Sequence, residues 1–191
     1  MWNESFFSAP QLKRDSLGGS PREDPMVRID TVVEGNRAAV NDLVAAAQAR
    51  ADSWTTPRAP GKWSPLQLVE HVARSLEESA NEVRGLRSKF PRLPFFLRPV
   101  ARTLLFNRVL RSGVFPRART SKPFNPIEGP ATPADAQRRL DQAVGAFTEA
   151  CRECAAGNQQ VRSTVFGTVT VDDYARFQEC HIRHHSRQLG G

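Results

Sequence analysis

The sequence predicts an all-α protein, a four-helix bundle with a long crossover between its second and third helices. Four segments carry apolar residues at helical spacing, and no segment shows a convincing strand-like alternation of apolar and polar residues. Prolines and glycines between 90 and 130 separate the second and third segments. The 191 residues suffice for one domain, expected at 26–191 after a mobile N-terminal tail, residues 1–25, rich in Ser, Pro, Gly and charge.

The first two helices are separated by a turn rich in Thr, Pro and Gly. Helical spacing of apolar residues extends over about residues 28–53, and the segment after Trp54 breaks it. Ser64 then provides an N-cap, followed by a proline and by Gln67, which completes a capping box. The second helix is therefore predicted to begin at this point and to extend to about Lys89.

The last two helices carry boundary signals of the same kind. Thr132 and Asp135 form a capping box for the third helix, and Gly157 ends it. Thr170 caps the fourth helix, which is predicted to extend to Leu189. These residues supply partners for the backbone groups that a helix leaves unpaired at its ends.

The crossover is the most basic part of the chain. Its residues 97–110 have an apolar side and are predicted to form a short amphipathic helix that a long loop follows. The formal net charge is +7, and no Asp or Glu lies between 84 and 122. A field of one sign attracts small carboxylates, phosphates or a membrane surface. The cations of this span are Arg84, Arg87, Lys89, Arg92, Arg98, Arg102, Arg108, Arg111, Arg117, Arg119 and Lys122.

The N-terminus and the cysteines indicate the compartment. No segment is long and apolar enough to span a bilayer, and no basic region precedes an apolar block as in a secretory signal. We therefore expect a cytoplasmic protein with reduced thiols. Cys151 and Cys154 form a CxxC pair, and Cys180 lies in the fourth helix. Buried apolar packing is favoured over a second zinc site or a redox pair, because no second CxxC or thioredoxin-like strand accompanies the pair.

Three of the four histidines lie in the predicted fourth helix, within a stretch of five residues. His181 and His185 are four residues apart, so they project from one face and can offer two imidazoles to one ion. Tyr174 and Phe177 share this face, which is therefore predicted to point into the bundle, and His184 lies at its edge. Hydrogen bonds alone could also satisfy two buried imidazoles, and an exposed cluster at a frayed helix end is a third interpretation.

Two segments of the chain resemble one protein family. Residues 63–72, which read WSPLQLVEHV, resemble the start of the second helix in the DinB-like (YfiT-like) superfamily, where Trp-Ser-Pro precedes a metal-binding histidine. Residues 166–169, and the pattern His-x-x-His-His-x-x-Gln-aliphatic at 181–189, resemble the last helix of that family. The resemblance covers about residues 29–191 in the order and number of helices. It implies a four-helix bundle of the DinB-like type.

The resemblance also implies a ligand set for a divalent metal ion. A single histidine such as His71 is by itself more often structural or solvated, but the family has a ligand at that point of its second helix. The first and third histidines of the family's cluster are the usual ligands, here His181 and His185. Three imidazoles leave at least one coordination position open, as in catalytic sites. The family's ions are usually zinc, nickel or manganese, and imidazole ligands do not choose among them.

The function implied by the resemblance is transfer of a low-molecular-weight thiol. Characterised DinB-like proteins include metal-dependent S-transferases that use mycothiol, bacillithiol or glutathione. The ion would bind the thiol sulfur and lower its pKa. A thiol S-transferase is therefore the leading expectation. The alternatives are a metal-dependent hydrolase, in which the ion activates water, and a non-enzymatic, stress-related bundle that binds a metal or another ligand.

The basic crossover predicts an anionic partner. We expect Arg98, Arg102 and Arg108 to lie near the mouth of the metal site and to recruit a small anionic molecule or thiol cofactor, because arginine binds carboxylates in a two-pronged fashion. A solvated basic surface is the simplest alternative, and peripheral contact of segment 97–111 with a membrane is another. Homodimer formation is left open. Nucleic acid is not expected, since clustered base-stacking aromatics and a helix-turn-helix pattern are missing.

Overall fold

The structure, a computed structural model, describes residues 24–116 and 120–190. Residues 1–23 of the predicted tail lie outside the described residues. Its secondary structure is almost entirely helical, as predicted. The helices are α1 Pro25–Gln48, α2 Pro65–Val83, α3 Arg98–Ala101, α4 Asn107–Ser112, α5 Pro133–Ala156 and α6 Val171–Gly190. Two short strands, β1 Val161–Ser163 and β2 Gly167–Val169, lie between α5 and α6.

The four long helices α1, α2, α5 and α6 form the predicted bundle. α1 packs against α6 and α5, whereas α2 packs against α5 and α6, so α1 and α2 lie diagonally across the bundle. The apolar stripes of all four helices meet in one core, where burial of large side chains stabilises the fold. Its fully buried members include Ile29, Leu43, Val69, Leu76, Leu140, Phe147 and Ile182.

Local capping determines where α2 begins, and a glycine determines where it ends. The Ser64 hydroxyl accepts a hydrogen bond from the Gln67 amide at 3.4 Å, and the Gln67 side chain accepts one from the Ser64 amide at 3.0 Å. The prediction that α2 extends to about Lys89 is wrong. The helix ends at Val83, because Gly85 adopts a left-handed φ of +71°, which turns the chain out of the helix.

The hairpin β1–β2 is an element that the sequence analysis did not predict. Val161 lies opposite Val169, and the two three-residue strands are too short to show a recognisable alternation. The buried carboxylate of Glu82 in α2 accepts hydrogen bonds from the Thr164 amide at 2.9 Å and from the Tyr174 hydroxyl at 2.9 Å. The hairpin turn is therefore attached to both α2 and α6.

The crossover contains the predicted amphipathic helix. The chain is helical from Arg98 to Ser112, with a π-helical segment between α3 and α4. The Phe106 ring is buried and packs at 5.0 Å from the rings of both Phe166 and Phe177. The crossover helix thus lies along α6. Within residues 24–116 and 120–190, no helix combines the length and hydropathy needed to cross a membrane.

Candidate metal centre

The predicted histidines of α2 and α6 converge at one point. His181 Nε2 lies 3.2 Å from His71 Nε2 and 3.0 Å from His185 Nε2. The three ligand atoms all lie within 4.8 Å of one another. The prediction that these side chains meet is therefore confirmed, and the cluster could hold a divalent metal ion. Such an ion would be held across the interface between α2 and α6.

Hydrogen bonds fix the tautomers of two of the three rings. His71 Nδ1 donates to the backbone carbonyl of Phe124 at 2.8 Å, and His185 Nδ1 donates to Gln188 Oε1 at 3.0 Å. A neutral imidazole that carries its proton on Nδ1 has a lone pair on Nε2. His181 can donate one Nε2 proton to one of these neighbours but not to both. At least one of the two close contacts of His181 Nε2 therefore has no proton between its nitrogen atoms, and their lone pairs repel each other. A cation bound between the rings would remove this repulsion.

Burial keeps the imidazoles in the form that binds metals. His71 and His185 are each 6% exposed. Burial lowers the pKa of His71 and lowers the pKa values of His181 and His185 well below the ordinary 6.5, and neighbouring histidines lower all three further. The rings are therefore neutral near pH 7, as metal coordination requires.

The spacing of the ring nitrogens fits a tetrahedral ion. Bonds of about 2.0–2.1 Å to each nitrogen imply about 3.3 Å between ligand atoms. The observed separations of 3.0 and 3.2 Å from His181 Nε2 are close to that value. Three nitrogen ligands leave a fourth position open, and His181 is the least buried of the three residues. The donor set and its spacing therefore fit a divalent ion with an open fourth position.

Aromatic side chains enclose the histidines. The Trp63 ring lies 4.7 Å from the His71 ring, and its Nε1 atom donates to the Asn125 side chain at 3.2 Å. The Phe115 ring lies 5.3 Å from the His181 ring. The crossover therefore contributes Phe115 and the Phe124 carbonyl to the surroundings of the site. Neither residue was predicted from the sequence, since neither a lone phenylalanine nor a backbone carbonyl has a recognisable pattern.

His184 belongs to the edge of the site and not to the converging group. Its Nε2 atom accepts a hydrogen bond from Gln188 Nε2 at 3.0 Å, and partial burial lowers its pKa. Gln188 therefore bridges the two histidines, because its oxygen accepts from His185 and its nitrogen donates to His184. The importance of Gln188 was visible in the sequence only as the last polar position of the histidine pattern.

Two of the three predicted arginines contact backbone carbonyls of the crossover and the hairpin. Arg98 donates to the Leu93 carbonyl and Arg102 to the Thr168 carbonyl, each at 2.9 Å. Leu93 in turn donates to Thr164 in the hairpin turn, so both arginines lie near the hairpin. Thr168 precedes α6, whose first ten residues span about 15 Å before His181 is reached. Arg108 is exposed. Recruitment of an anion by these three arginines stays a prediction; two further cations of the span, at 117 and 119, lie outside the described residues.

In the described part of the chain, no cysteine belongs to the group of ligand atoms that converge. Cys151 and Cys154 are buried in α5, and Cys180 is half-buried in α6. Burial raises the pKa of Cys151 and of Cys154, which favours the neutral thiol. Among residues 24–116 and 120–190, the histidine cluster is the one group of potential ligands close enough to hold a metal.

A cavity of about 310 Å³ opens between α2, α5 and the crossover, but none of the three histidines lines it. Its charged groups pair with one another. Arg139 contacts Glu70 at 3.2 Å and Glu77 at 2.6 Å, and Lys89 contacts Glu78 at 3.1 Å. Because these charges are already compensated, the histidine cluster remains the candidate functional site.

Comparison with known proteins identifies the family. The sequence profile described as the DinB superfamily matches residues 33–189, which is most of the chain. No curated protein and no solved structure matches the chain. The match includes all three converging histidines, and the cluster fits a metal-binding DinB-like protein. The chain therefore belongs to the DinB superfamily.

Proposed function

We propose that this protein is a metal-dependent S-transferase that joins a low-molecular-weight thiol to an electrophile. The observation that carries the metal part is the meeting of three neutral imidazoles, two of which present Nε2 lone pairs to the third. His71, His181 and His185 would hold the divalent ion. When bound, such an ion supplies a Lewis acid that favours the thiolate form of a thiol.

The thiol part of the proposal rests on the family and on the open side of the site. Three nitrogen ligands leave a position at which a sulfur would bind, and His181, the least buried of the three, would lie beside it. Trp63 and Phe115 would limit the water around the bound sulfur and pack against the apolar parts of a substrate. The Phe124 carbonyl and Gln188 would keep the ligand rings oriented.

Elemental analysis followed by a turnover assay tests the proposal. Protein purified without an affinity tag should contain close to one divalent ion per chain. The metal-loaded protein should then consume mycothiol, bacillithiol or glutathione, tested separately with a generic electrophile such as monochlorobimane, faster than the metal-free protein does. His181→Ala should lose both metal and turnover, whereas the matched control His184→Ala should keep the metal.

The outcomes distinguish the proposal from its alternatives. Stoichiometric metal without thiol consumption, but with hydrolysis of a generic ester or amide, would indicate a metal-dependent hydrolase. Stoichiometric metal with neither activity would indicate a non-enzymatic metal-binding bundle. Protein without metal, even after addition of zinc, nickel or manganese, would contradict the proposal at its first step.

A further inference from the structure

Exposed large apolar side chains concentrate in one segment of the crossover. In the described part of the chain, nine such residues are exposed, and five of them lie between 95 and 104. Phe95 is 80% exposed and Phe96 is 62% exposed, and their rings meet edge to face at 5.7 Å. Single exposed apolar residues need no explanation, but a contiguous group marks an interaction surface.

The same surface continues along the crossover helix. Val100 is 51% exposed and Leu104 is 67% exposed. Arg108 and Arg111 follow Leu104 at spacings of four and seven residues, so the four side chains share the outward face, and both arginines are exposed. Phe106 is buried on the opposite side of the helix. The outward face therefore changes from apolar at its start to cationic at its end.

Cations lie on both sides of the apolar group. Arg92 precedes the two phenylalanines and is exposed. Of the ion pairs formed within residues 24–116 and 120–190, none involves Arg92, Arg108 or Arg111. We call this surface the crossover face. It comprises Arg92, Phe95, Phe96, Val100, Leu104, Arg108 and Arg111.

We propose that the crossover face binds the surface of a membrane that contains anionic lipids. The apolar side chains would enter the boundary between headgroups and acyl chains, while the arginines at both ends would contact lipid phosphates. This chemistry matches both properties of the surface, its apolar centre and its uncompensated positive charge. The proposal is independent of the thiol chemistry, because the histidines are not part of this surface.

Two other occupants fit the surface less well. A second copy of the chain joined by a two-fold axis would bring identical arginines near one another without a carboxylate between them. A nucleic acid would contact the arginines, but its phosphates would gain nothing from Val100 and Leu104. An anionic lipid surface uses the cations and the apolar side chains together.

Vesicle binding tests the proposal with the full-length protein. The protein should sediment with vesicles of equimolar phosphatidylserine and phosphatidylcholine, less so at high salt, and it should not sediment with vesicles of phosphatidylcholine alone. Phe95→Ser/Phe96→Ser should weaken binding at least about tenfold, because the two rings no longer insert. Arg108→Gln/Arg111→Gln should weaken binding by roughly tenfold or more and should reduce its salt dependence.

Matched controls come from exposed residues elsewhere on the molecule. Val27→Ser/Ile127→Ser removes two apolar side chains that are 54% and 87% exposed. Arg37→Gln/Arg58→Gln removes two exposed cations. Both control proteins should bind vesicles as the native protein does. Circular dichroism and metal content, measured on every variant, show that folding and the histidine site are retained, so that failure of this proposal is distinguishable from failure of the proposed function.

Three outcomes would overturn the inference. The first is a native protein that does not bind anionic vesicles, or control variants that lose as much binding as the crossover-face variants. The second is a phenylalanine variant that still binds vesicles but changes from dimer to monomer by light scattering, which would make the face a contact between copies. The third is an arginine variant that loses affinity for duplex DNA while its vesicle binding is unchanged.

Discussion

The Nδ1 atom of His71 lies 2.8 Å from the backbone carbonyl oxygen of Phe124, so the crossover fixes the tautomer of a histidine in α2. This hydrogen bond places the lone pair of His71 on Nε2, the atom that faces His181. Gln188 has the same effect on His185 from within α6. The candidate metal site therefore depends on the crossover as well as on the two helices that carry the histidines.

Removal of a converging histidine should abolish stoichiometric metal. His71→Ala and His181→Ala each leave two imidazoles, too few to hold a divalent ion at one per chain. His184→Ala should keep most of the metal, because His184 bonds to Gln188 and is not one of the three histidines whose ligand atoms converge. Elemental analysis of the purified variants measures the difference. Comparable metal loss in the His184 variant would show that the ligand assignment within the cluster is wrong.

Gln188 should tune the metal affinity without being a ligand. Gln188→Leu removes the acceptor of the His185 Nδ1 proton and should lower the metal affinity by about 10- to 100-fold, as is usual for partners of ligand histidines. Gln188→Glu keeps an acceptor oxygen at the same position and should retain the affinity. Competition with a chromophoric chelator measures both values. Equal affinities for the leucine and glutamate variants would mean that water replaces the amide at no cost.

The stability of the metal-free protein should fall as the pH decreases below about 6.5, the ordinary pKa of histidine. Burial lowers the pKa values of His181 and His185 in the folded protein, so below that pH the unfolded chain binds more protons. Above it both states are neutral, and these residues contribute no pH dependence. The loss continues until the pH reaches the lowered values of the folded state.

Urea unfolding of metal-free protein over a series of pH values measures this dependence. A variant that carries His181→Ala should show a flatter profile, because one of the groups that changes its proton affinity on folding is removed. Metal-loaded protein should lose stability over the same range, since protons compete with the ion for the same nitrogens. A free energy of unfolding that stays constant or rises on acidification would contradict the prediction.

Helix boundaries and one histidine pair could be predicted because their causes are local. The cap at Ser64 is formed by neighbours in sequence, and the i, i+4 spacing of His181 and His185 determines their shared face. The end of α2 was misplaced because a single glycine inside an apolar pattern does not reveal its φ, and Gly85 turned out to be left-handed. The hairpin was missed because its attachment depends on Glu82, far away in sequence.

The complete candidate site required more than local pattern. Nothing in its own neighbourhood marks His71 as a partner of α6, because their meeting is a property of helix packing. The resemblance of the Trp-Ser-Pro segment to a family supplied that residue. The acceptor for His71 is a main-chain oxygen, and every residue has one, so no side-chain pattern could have indicated Phe124.

Glu82 should be one of the most important polar residues for stability. It is 3% exposed, and its oxygens accept hydrogen bonds from the amide and hydroxyl of Thr164 and from the hydroxyl of Tyr174. Glu82→Leu leaves these buried donors without an acceptor and should lower the free energy of unfolding by about 2–4 kcal/mol. Urea denaturation measures the change.

The matched control is an exposed glutamate of α5. The side chain of Glu149 is 70% exposed and contacts Arg84 at 3.4 Å. Glu149→Ala should change the free energy of unfolding by less than about 0.5 kcal/mol, because an exposed ion pair contributes little. If the two glutamate variants were equally destabilised, the hydrogen bonds of Glu82 would not be the reason for its effect.

The expectation that Arg98, Arg102 and Arg108 recruit an anionic thiol depends on how far their charge acts. Arg102 contacts Thr168, and the start of α6 is separated from His181 by about 15 Å along the helix axis. The Debye length exceeds that separation at low ionic strength, about 30 Å at 0.01 M, but is about 8 Å at 0.15 M. Any recruitment by Arg102 should therefore act through the long-range field and should be visible mainly at low salt.

The variant Arg98→Gln/Arg102→Gln/Arg108→Gln tests that expectation. It should keep its metal, because the converging ligands are the three histidines, and its KM for an anionic thiol should rise at low salt. At physiological ionic strength the difference from the native protein should shrink, since the Debye length then falls below the separation of Arg102 from His181. A KM that is unchanged at low salt, together with weaker binding to anionic vesicles, would show that the arginines bind lipid and do not recruit the thiol. The KM at low salt decides between the two, because salt weakens vesicle binding as well, whereas only thiol recruitment makes the KM depend on these charges.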